Sequence, residues 1–423
     1  MCPGFRRWGA LAQTEAGLSR WWRMDITHGS LFRNVRFYRL WAGQGVSFVG
    51  DAISMVALVV LVVEIAGSAS AVVSVLVARL LPTLASPFAG VLADRLDRRV
   101  ILVASDLARA VLVIGLVFTR DLATIYVLVF LLGLARTFFN PTIRAAFPGV
   151  VGEGDLTRAN ALIGTTFSVS ETVGPALGGL LVAFVGVEAA FVLDAATYLV
   201  SAALLSRIHL PRPQGESGAG FGRELRAGIG YLAGARVPLT LVLGAFLTML
   251  TINATVPAEI FLAKETFGAG DVGYGLLVGL WGGGMVLGAA LIAALGDRVS
   301  LIPFYLFGIF ASALALAATG LSPTFTLALG ALVVAGIANG IDDVVTNTIL
   351  QKRVPDAFLG RVFAVKFLGY GVGEALAFTV GGLVVGAIGP RSTYLYAGAA
   401  TAVAGLLIAL LLATASIGRT AAD

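Results

Sequence analysis

"SETVGPALGG", residues 170–179, has a counterpart 203 residues further on in "GEALAFTVGG", residues 373–382. A glutamate and a Gly-Gly pair hold the same places in both stretches, and each glutamate is set in apolar sequence. The register runs on without a gap. Asp94–Arg95 falls on Asp297–Arg298, Arg158 on Arg361, Gly178–Gly179–Leu180 on Gly381–Gly382–Leu383, and Gly186 on Gly389. A chain with 53 glycines supplies glycine pairs by chance. It rarely supplies Asp-Arg, Arg, Glu and Gly-Gly-Leu in a single register, so the chain reads as one unit written twice.

The unit is a membrane one. Of 423 residues, 58 % are hydrophobic and 13 % charged, with a mean hydropathy of +0.93. Soluble chains run near 45–50 % apolar and about 25 % charged. A crossing needs roughly 20 mostly apolar residues. On that basis twelve spans are expected, at about 40–64, 70–92, 100–119, 121–146, 159–186, 188–206, 238–262, 271–295, 300–319, 323–349, 360–388 and 392–415. The fold class is therefore an all-α polytopic membrane protein. Its expected organisation is an N-terminal segment (1–39), a six-helix bundle (40–206), a linker with an amphipathic helix (207–237), a second six-helix bundle (238–415) and a tail (416–423). Within the first segment, 1–23 reads as a disordered extension ahead of a start at Met24; a surface helix bearing Trp8, Trp21 and Trp22 is the alternative.

Charge gives the orientation. All but six of the 29 Lys and Arg fall on one side of the membrane, in the termini and alternate loops, counting 350–366 with the start of span eleven. The exceptions are Arg79, Arg109 and Arg136 within spans, and Arg120, Lys264 and Arg391 on the other side. Basic residues mark cytoplasmic loops, so both termini are expected in the cytoplasm of a cell membrane. The same rule accounts for the net charge of +5 without nucleic acid. Cys2 is the single cysteine, His28 and His209 lie in polar segments, and there is no phosphate-binding G-x-x-x-x-G-K-[ST]. No metal site, cofactor, ATP-driven step or enzyme activity is expected.

An ionisable residue inside a span is costly and is a functional candidate, with a structural ion pair as the bland alternative. Gln44, Ser47, Asp51 and Ser54 form one polar stripe on span one. Asp51 there is the first candidate for proton coupling, since a carboxylate in apolar surroundings suits that task. Glu171 and Glu374 are the next, and Glu171 stands one turn before Gly174–Pro175. Asp106 and Arg109, spaced i, i+3, are expected to pair. Arg79 and Asp194 read as structural. Thr248, Thr251, Thr255 and Glu259 make a polar face on span seven; Asn339, Asp342, Asp343 and Thr346 do so on span ten. With no Lys or Arg placed mid-span in the second half, that half is expected to be a mostly neutral wall. Trp281, Phe246 and Phe378 read as packing first and as apolar ligand surface second.

Six spans repeated in parallel imply two bundles related by a pseudo-two-fold axis along the membrane normal. "GVLADRLDRR" (90–99) resembles the major facilitator signature G-x-L-a-D-R-x-G-R-R, with Asp97 where many members have glycine. "SETVGPALGG" resembles the antiporter signature ending G-P-x-x-G-G, through Gly174, Pro175, Gly178 and Gly179. "NPTIRAAFP" (140–148), "LDAATYL" (193–199) and "QKRVPDAFLGRVFA" (351–364) are similar to the macrolide-efflux-like branch of drug:proton antiporters. The resemblance covers about 40–415. It implies the major facilitator fold, with spans one, four, seven and ten lining a central cavity. Gln44, Ser47, Asp51, Arg136, Asn253, Asn339 and Asp343 are then the substrate-cavity candidates, with Arg136 a counter-charge to Asp51. It also implies a gating set of Gly90, Asp94, Arg95, Asp97, Arg98, Arg99, Asp106, Arg109, Arg158, Asp297, Arg298 and Arg361, with span two beside span eleven and span five beside span eight. The expected function is proton-coupled export of an amphipathic small molecule by a single copy working through alternating access. A siderophore or lysolipid exporter, a passive facilitator and a sensor are the alternatives.

Overall fold

The computed structural model describes residues 30–85, 96–151, 156–210, 221–295 and 300–420, and these are helices and short connections with no strand among them. Ten helices among the described residues are long and apolar enough to cross a membrane. The longest, Asp356–Thr420, is two crossings joined at Gly389 (φ 78°), and a shorter apolar helix, Ala69–Leu80, runs into a 3-10 turn at Leu81–Ala85 beside undescribed residues. Together they are the twelve expected. The first half has α1 (Val35–Ala66), α2 (Ala69–Leu80), α3 (Arg98–Val117), α4 (Leu122–Val151), α5 (Leu156–Val185) and α6 (Val187–Leu205). The second has α7 (Arg236–Asn253), α8 (Gly270–Leu295), α9 (Leu301–Leu321), α10 (Phe325–Arg353), α11 (356–388) and α12 (390–420).

Local chemistry sets the ends. Asn34 caps α1 by accepting from the amides of Arg36 and Phe37, and Gly67 stops it at φ 57°, a left-handed conformation that favours glycine. Asp97, the acid in place of a family glycine, caps α3 by accepting from Arg99 N at 2.8 Å. Asp121 caps α4, and bonds from the hydroxyl and amide of Thr124 hold its carboxyl below the usual carboxylate range. The repeat reappears as geometry: Gly186 (φ 109°) turns the chain between α5 and α6, and its register partner Gly389 turns it between α11 and α12. One element departs from expectation. Span seven is broken after Asn253, restarts at Val256–Phe261 with Pro257 in its first turn, and ends in a π turn at Leu262–Thr266. Proline lacks the amide that a continuous helix needs there.

In the first half α1 packs on α5 and α6, and α3 on α4 and α6; in the second α10 packs on α8 and α9, and α12 on α7 and α9. The halves meet where α5 lies along α8 and α2 along α11, as the resemblance implies. Small residues permit this approach: a Cβ built on Gly179 would stand 2.6 Å from the Asp271 carbonyl oxygen, and one on Gly279 would stand 2.6 Å from that of Thr172. The small residues of the antiporter-like stretch are divided between two contacts, however. Gly174 faces Ala52, and Gly178 faces Ile53 and Val56, so those two serve the α1–α5 contact inside the first half. Gly179 and the Pro175 carbonyl meet α8.

Three apolar cores show how the halves stand. One cluster joins residues of both halves on the side of the short loops, with Val56, Val72, Leu262, Tyr274 and Phe378 among its members. Towards the linker there are two clusters instead. One, around Phe37, Leu102 and Leu205, is drawn from the first half; the other, around Leu241, Tyr305 and Ile349, from the second. Among the described residues one apolar core thus spans both halves on the short-loop side, and on the linker side each half keeps its own. The linker helix Phe221–Gly234 lies on the start of α11, with Tyr231 stacked on Phe358 at 4.8 Å.

Candidate functional site

Between the halves lies a cavity of about 420 Å³, walled by α1, α2, α4 and α5 from one half and by α8 and α11 from the other. Its charged members are Asp51, Arg79, Arg136, Glu171 and Glu374; Met55, Phe167, Tyr274, Val278 and Phe378 supply apolar surface. A narrower pocket of about 40 Å³ continues behind Asp51 and reaches Arg109, Asp194 and Tyr198. Charges inside spans need partners or a cavity, and these have both.

Asp51 accepts a hydrogen bond from the Tyr198 hydroxyl, on α6. Tyr198 is itself clamped, for the Arg109 guanidinium lies over its ring at 4.4 Å and over that of Phe139 at 4.2 Å. Arg109 pairs with Asp106, and both are buried. The pairing expected from their spacing is present. Asp106 and Arg109 sit in the polar interior of the first half beside Tyr198; residues 90–95 of the signature loop lie outside the described residues. Thr197 donates to the Asp194 backbone carbonyl at 2.7 Å, and Asp194 lines the same narrow pocket.

Glu171 and Glu374, register partners in the repeat, come from opposite halves to one cavity, and both interact electrostatically with Arg79 and Arg136. Arg136 is thereby a cavity residue facing three carboxylates rather than a dedicated partner of Asp51. Arg79, read from sequence as structural, is a cavity residue too and donates to the Met55 sulfur. Its signal was present as a lone cation deep in an apolar span; which way α2 faces was not readable. Of the other cavity candidates, Gln44 and Ser47 are buried outside this wall, and Asn253, Asn339 and Asp343 are half-buried elsewhere in the second half.

The second half is not a neutral wall. Helix α11 begins at Asp356, so Lys366 lies about 15 Å along it. There it is buried, bonded to Asn347 Oδ1 at 2.6 Å and Asp343 Oδ1 at 3.3 Å. Counted with the start of span eleven on the basic side, this lysine does not read from sequence as an interior charge. In the gating set, Gly90, Asp94, Arg95, Asp297 and Arg298, and the side chain of Arg158, lie outside the described residues. Arg98 and Arg99 open α3, and Arg361 is half-buried over the Phe358 ring at 5.5 Å.

Comparison with known proteins fits this geometry. A family model described as transmembrane secretion effector matches residues 27–422. BacE of Bacillus amyloliquefaciens, named for bacilysin export, is 30 % identical over 81 % of this chain and 86 % of its own. Macrolide efflux protein A of Streptococcus pyogenes is 26 % identical over 78 % and 84 %, and the enterobactin exporter EntS of Shigella boydii 29 % identical over 76 % and 77 %. Among solved structures, the nucleoside transporter NupG superposes with a TM-score of 0.72 at 14 % identity, covering 89 % of this chain and 99 % of that one. A bacterial ferroportin homologue in an inward-facing state does so with 0.71 at 16 %, covering 90 % and 99 %. A match over nearly the whole chain, on twelve helices in two bundles about a charged cavity, shows that the chain belongs to the transmembrane secretion effector family of the major facilitator superfamily, transporters of the efflux type.

Proposed function

We propose that the protein exports amphipathic small molecules from the cytoplasm across the cell membrane in exchange for protons, by alternating access of its two halves. The observation that carries this reading is the central cavity, where Asp51, Glu171 and Glu374 meet Arg79 and Arg136 among apolar side chains. Its volume lies within the roughly 300–1,000 Å³ of small-molecule sites. Carboxylates contributed by both halves give a proton and a substrate competing places to bind, which is what exchange requires. With the termini and basic loops in the cytoplasm, the linker side, where each half keeps its own core, is the cytoplasmic face through which substrate enters. A single copy contains both halves and the whole cavity, so it forms a complete transport unit. The macrolide and bacilysin names among relatives support an amphipathic secondary metabolite or drug.

Siderophore export is the second reading. Two guanidinium groups in one cavity suit an anionic ligand, and the similarity to the enterobactin exporter agrees. Inside-out vesicles bearing the protein separate these readings from a facilitator or sensor. Acidifying the lumen should drive uptake of a macrolide or a catecholate siderophore, and collapsing the pH gradient should stop it. Uptake indifferent to the gradient would exclude proton exchange.

A further inference from the structure

Lys366 makes a short bond and a long one. Its ammonium holds Asn347 Oδ1 at 2.6 Å and lies over the Tyr370 ring at 5.0 Å, while Asp343 Oδ1 is at 3.3 Å. The Lys366 side chain is 2 % exposed, whereas that of Asp343 is 47 % exposed. The lysine is therefore satisfied mainly by neutral partners, and the aspartate keeps much of its charge open on the outer side. Behind the pair lies Asp342, 8 % exposed, with one carboxylate oxygen lacking any hydrogen-bond partner among the described residues. It interacts electrostatically with both Asp343 and Lys366. Two acids and one buried cation thus stand together in the second half, and Asp343 is the exposed member of the three.

The place suits a ligand. Lys366, Tyr370, Glu374 and Phe378 recur every four residues and so share a face of α11, and the last two line the central cavity. The cluster thus stands about 12 Å from Glu374 along the helix, on the linker side where each half keeps its own core.

We propose that Asp343, backed by Asp342 and held by Lys366 and Asn347, is a subsite for a protonated amine of the transported molecule, met on the way from the linker-side opening to the central cavity. Asp343 Oδ1 takes the long contact from Lys366, and Oδ2 accepts from Asn347 Nδ2 at 3.2 Å. An ammonium arriving on the exposed side of Asp343 displaces the long contact alone, and Lys366 keeps Asn347 Oδ1 and the Tyr370 ring. Lys366 acts as a positioning residue that holds Asp343 in place and sets how strongly it attracts a cation. The subsite rests on the exporter reading for its role, but its binding is measurable without transport.

The experiment is equilibrium binding to the full-length protein in lipid nanodiscs, without a gradient, using the amphipathic amine propranolol and its uncharged N-acetyl derivative. The wild type should bind the amine at least tenfold more tightly than the derivative. Asp343→Asn should remove that preference while leaving binding of the uncharged derivative within about twofold, and Asp343→Glu should restore part of it. Lys366→Met should strengthen amine binding without affecting the derivative. Equal binding of both probes by the wild type, or an undiminished preference in Asp343→Asn, overturns the subsite. Failure of gradient-driven uptake in vesicles with the preference intact would instead overturn the proton-coupled exporter and leave the subsite standing.

Discussion

Asp51 and Tyr198 stand 147 positions apart in the chain and share one hydrogen bond, in the wall of the cavity. On the proposed mechanism, Asp51 exchanges the coupling proton and the Tyr198 hydroxyl holds its carboxylate in one orientation. Asp51→Asn should abolish proton-driven uptake into inside-out vesicles while the protein inserts and stays folded; undiminished uptake would sink its role. Tyr198→Phe removes a single donor to that carboxylate, and a hydrogen bond to a charged group contributes about 1.5–3 kcal/mol. Uptake should therefore fall about tenfold or more, with an unchanged elution profile on size exclusion. Asp51, Glu171, Glu374 and Arg136 were readable because a charge amid apolar residues draws attention wherever it lies. Tyr198 was not, for a tyrosine in an apolar helix carries no mark of its partner. Lys366 was missed for a different reason: helix α11 starts several residues before its hydropathy does.

Helix α5 presents two adjacent glycines to two different neighbours, and this separates packing within a half from packing between halves. A Cβ on Gly178 would stand 3.0 Å from the Ile53 carbonyl oxygen of α1, and one on Gly179 would stand 3.1 Å from Gly275 Cα of α8. Overfilling a packed contact costs about 1–3 kcal/mol. Gly178→Val should lower the thermal midpoint of the purified protein, since it parts helices of one bundle. Gly179→Val should leave that midpoint nearly unchanged and yet cut transport severely, because it blocks the closed short-loop seam between bundles. Equal effects of both variants on stability would refute this division. The twelve spans are legible from hydropathy, and the described boundaries fall within a few residues apart from the break in span seven; the end of span two lies outside the described residues. The direction each glycine faces was not, because a one-residue step turns a helix by about 100° and the neighbour it meets depends on the tertiary arrangement. The break in span seven was overlooked although Pro257 announces it, since hydropathy continues undisturbed through Asn253–Val256.

The two halves as described share one apolar core on the short-loop side and keep separate cores towards the linker, so the cycle needs contacts that form when the linker side closes. The repeat suggests where they are. Asp94 follows α2 and Asp297 follows α8, while Arg158 lies in the first turn of α5 and Arg361 in the second turn of α11. Helices α2 and α11 are neighbours across the seam, as are α5 and α8. Asp94 and Asp297 lie outside the described residues, and we propose that they pair with Arg361 and Arg158 when the linker side closes. Acids do little for topology, which basic residues set alone, so Asp94 needs another role. An exposed ion pair contributes about 0–1 kcal/mol, and a carboxylate at a helix N-terminus adds about 0.3–1 kcal/mol. Two such sets sum to about 0.6–4 kcal/mol, which brackets the roughly 1–3 kcal/mol (about 5- to 150-fold) typical of coupling between sites and biases a gate without locking it. Asp94→Arg should then favour the state open on the linker side and slow vesicle uptake, with a cysteine pair across the linker-side opening showing reduced crosslinking. Adding Arg361→Asp should restore part of both the uptake and the crosslink. A double variant no better than the single one, with both proteins inserted normally, would show that the charged loop does not pair across the halves and acts on topology alone.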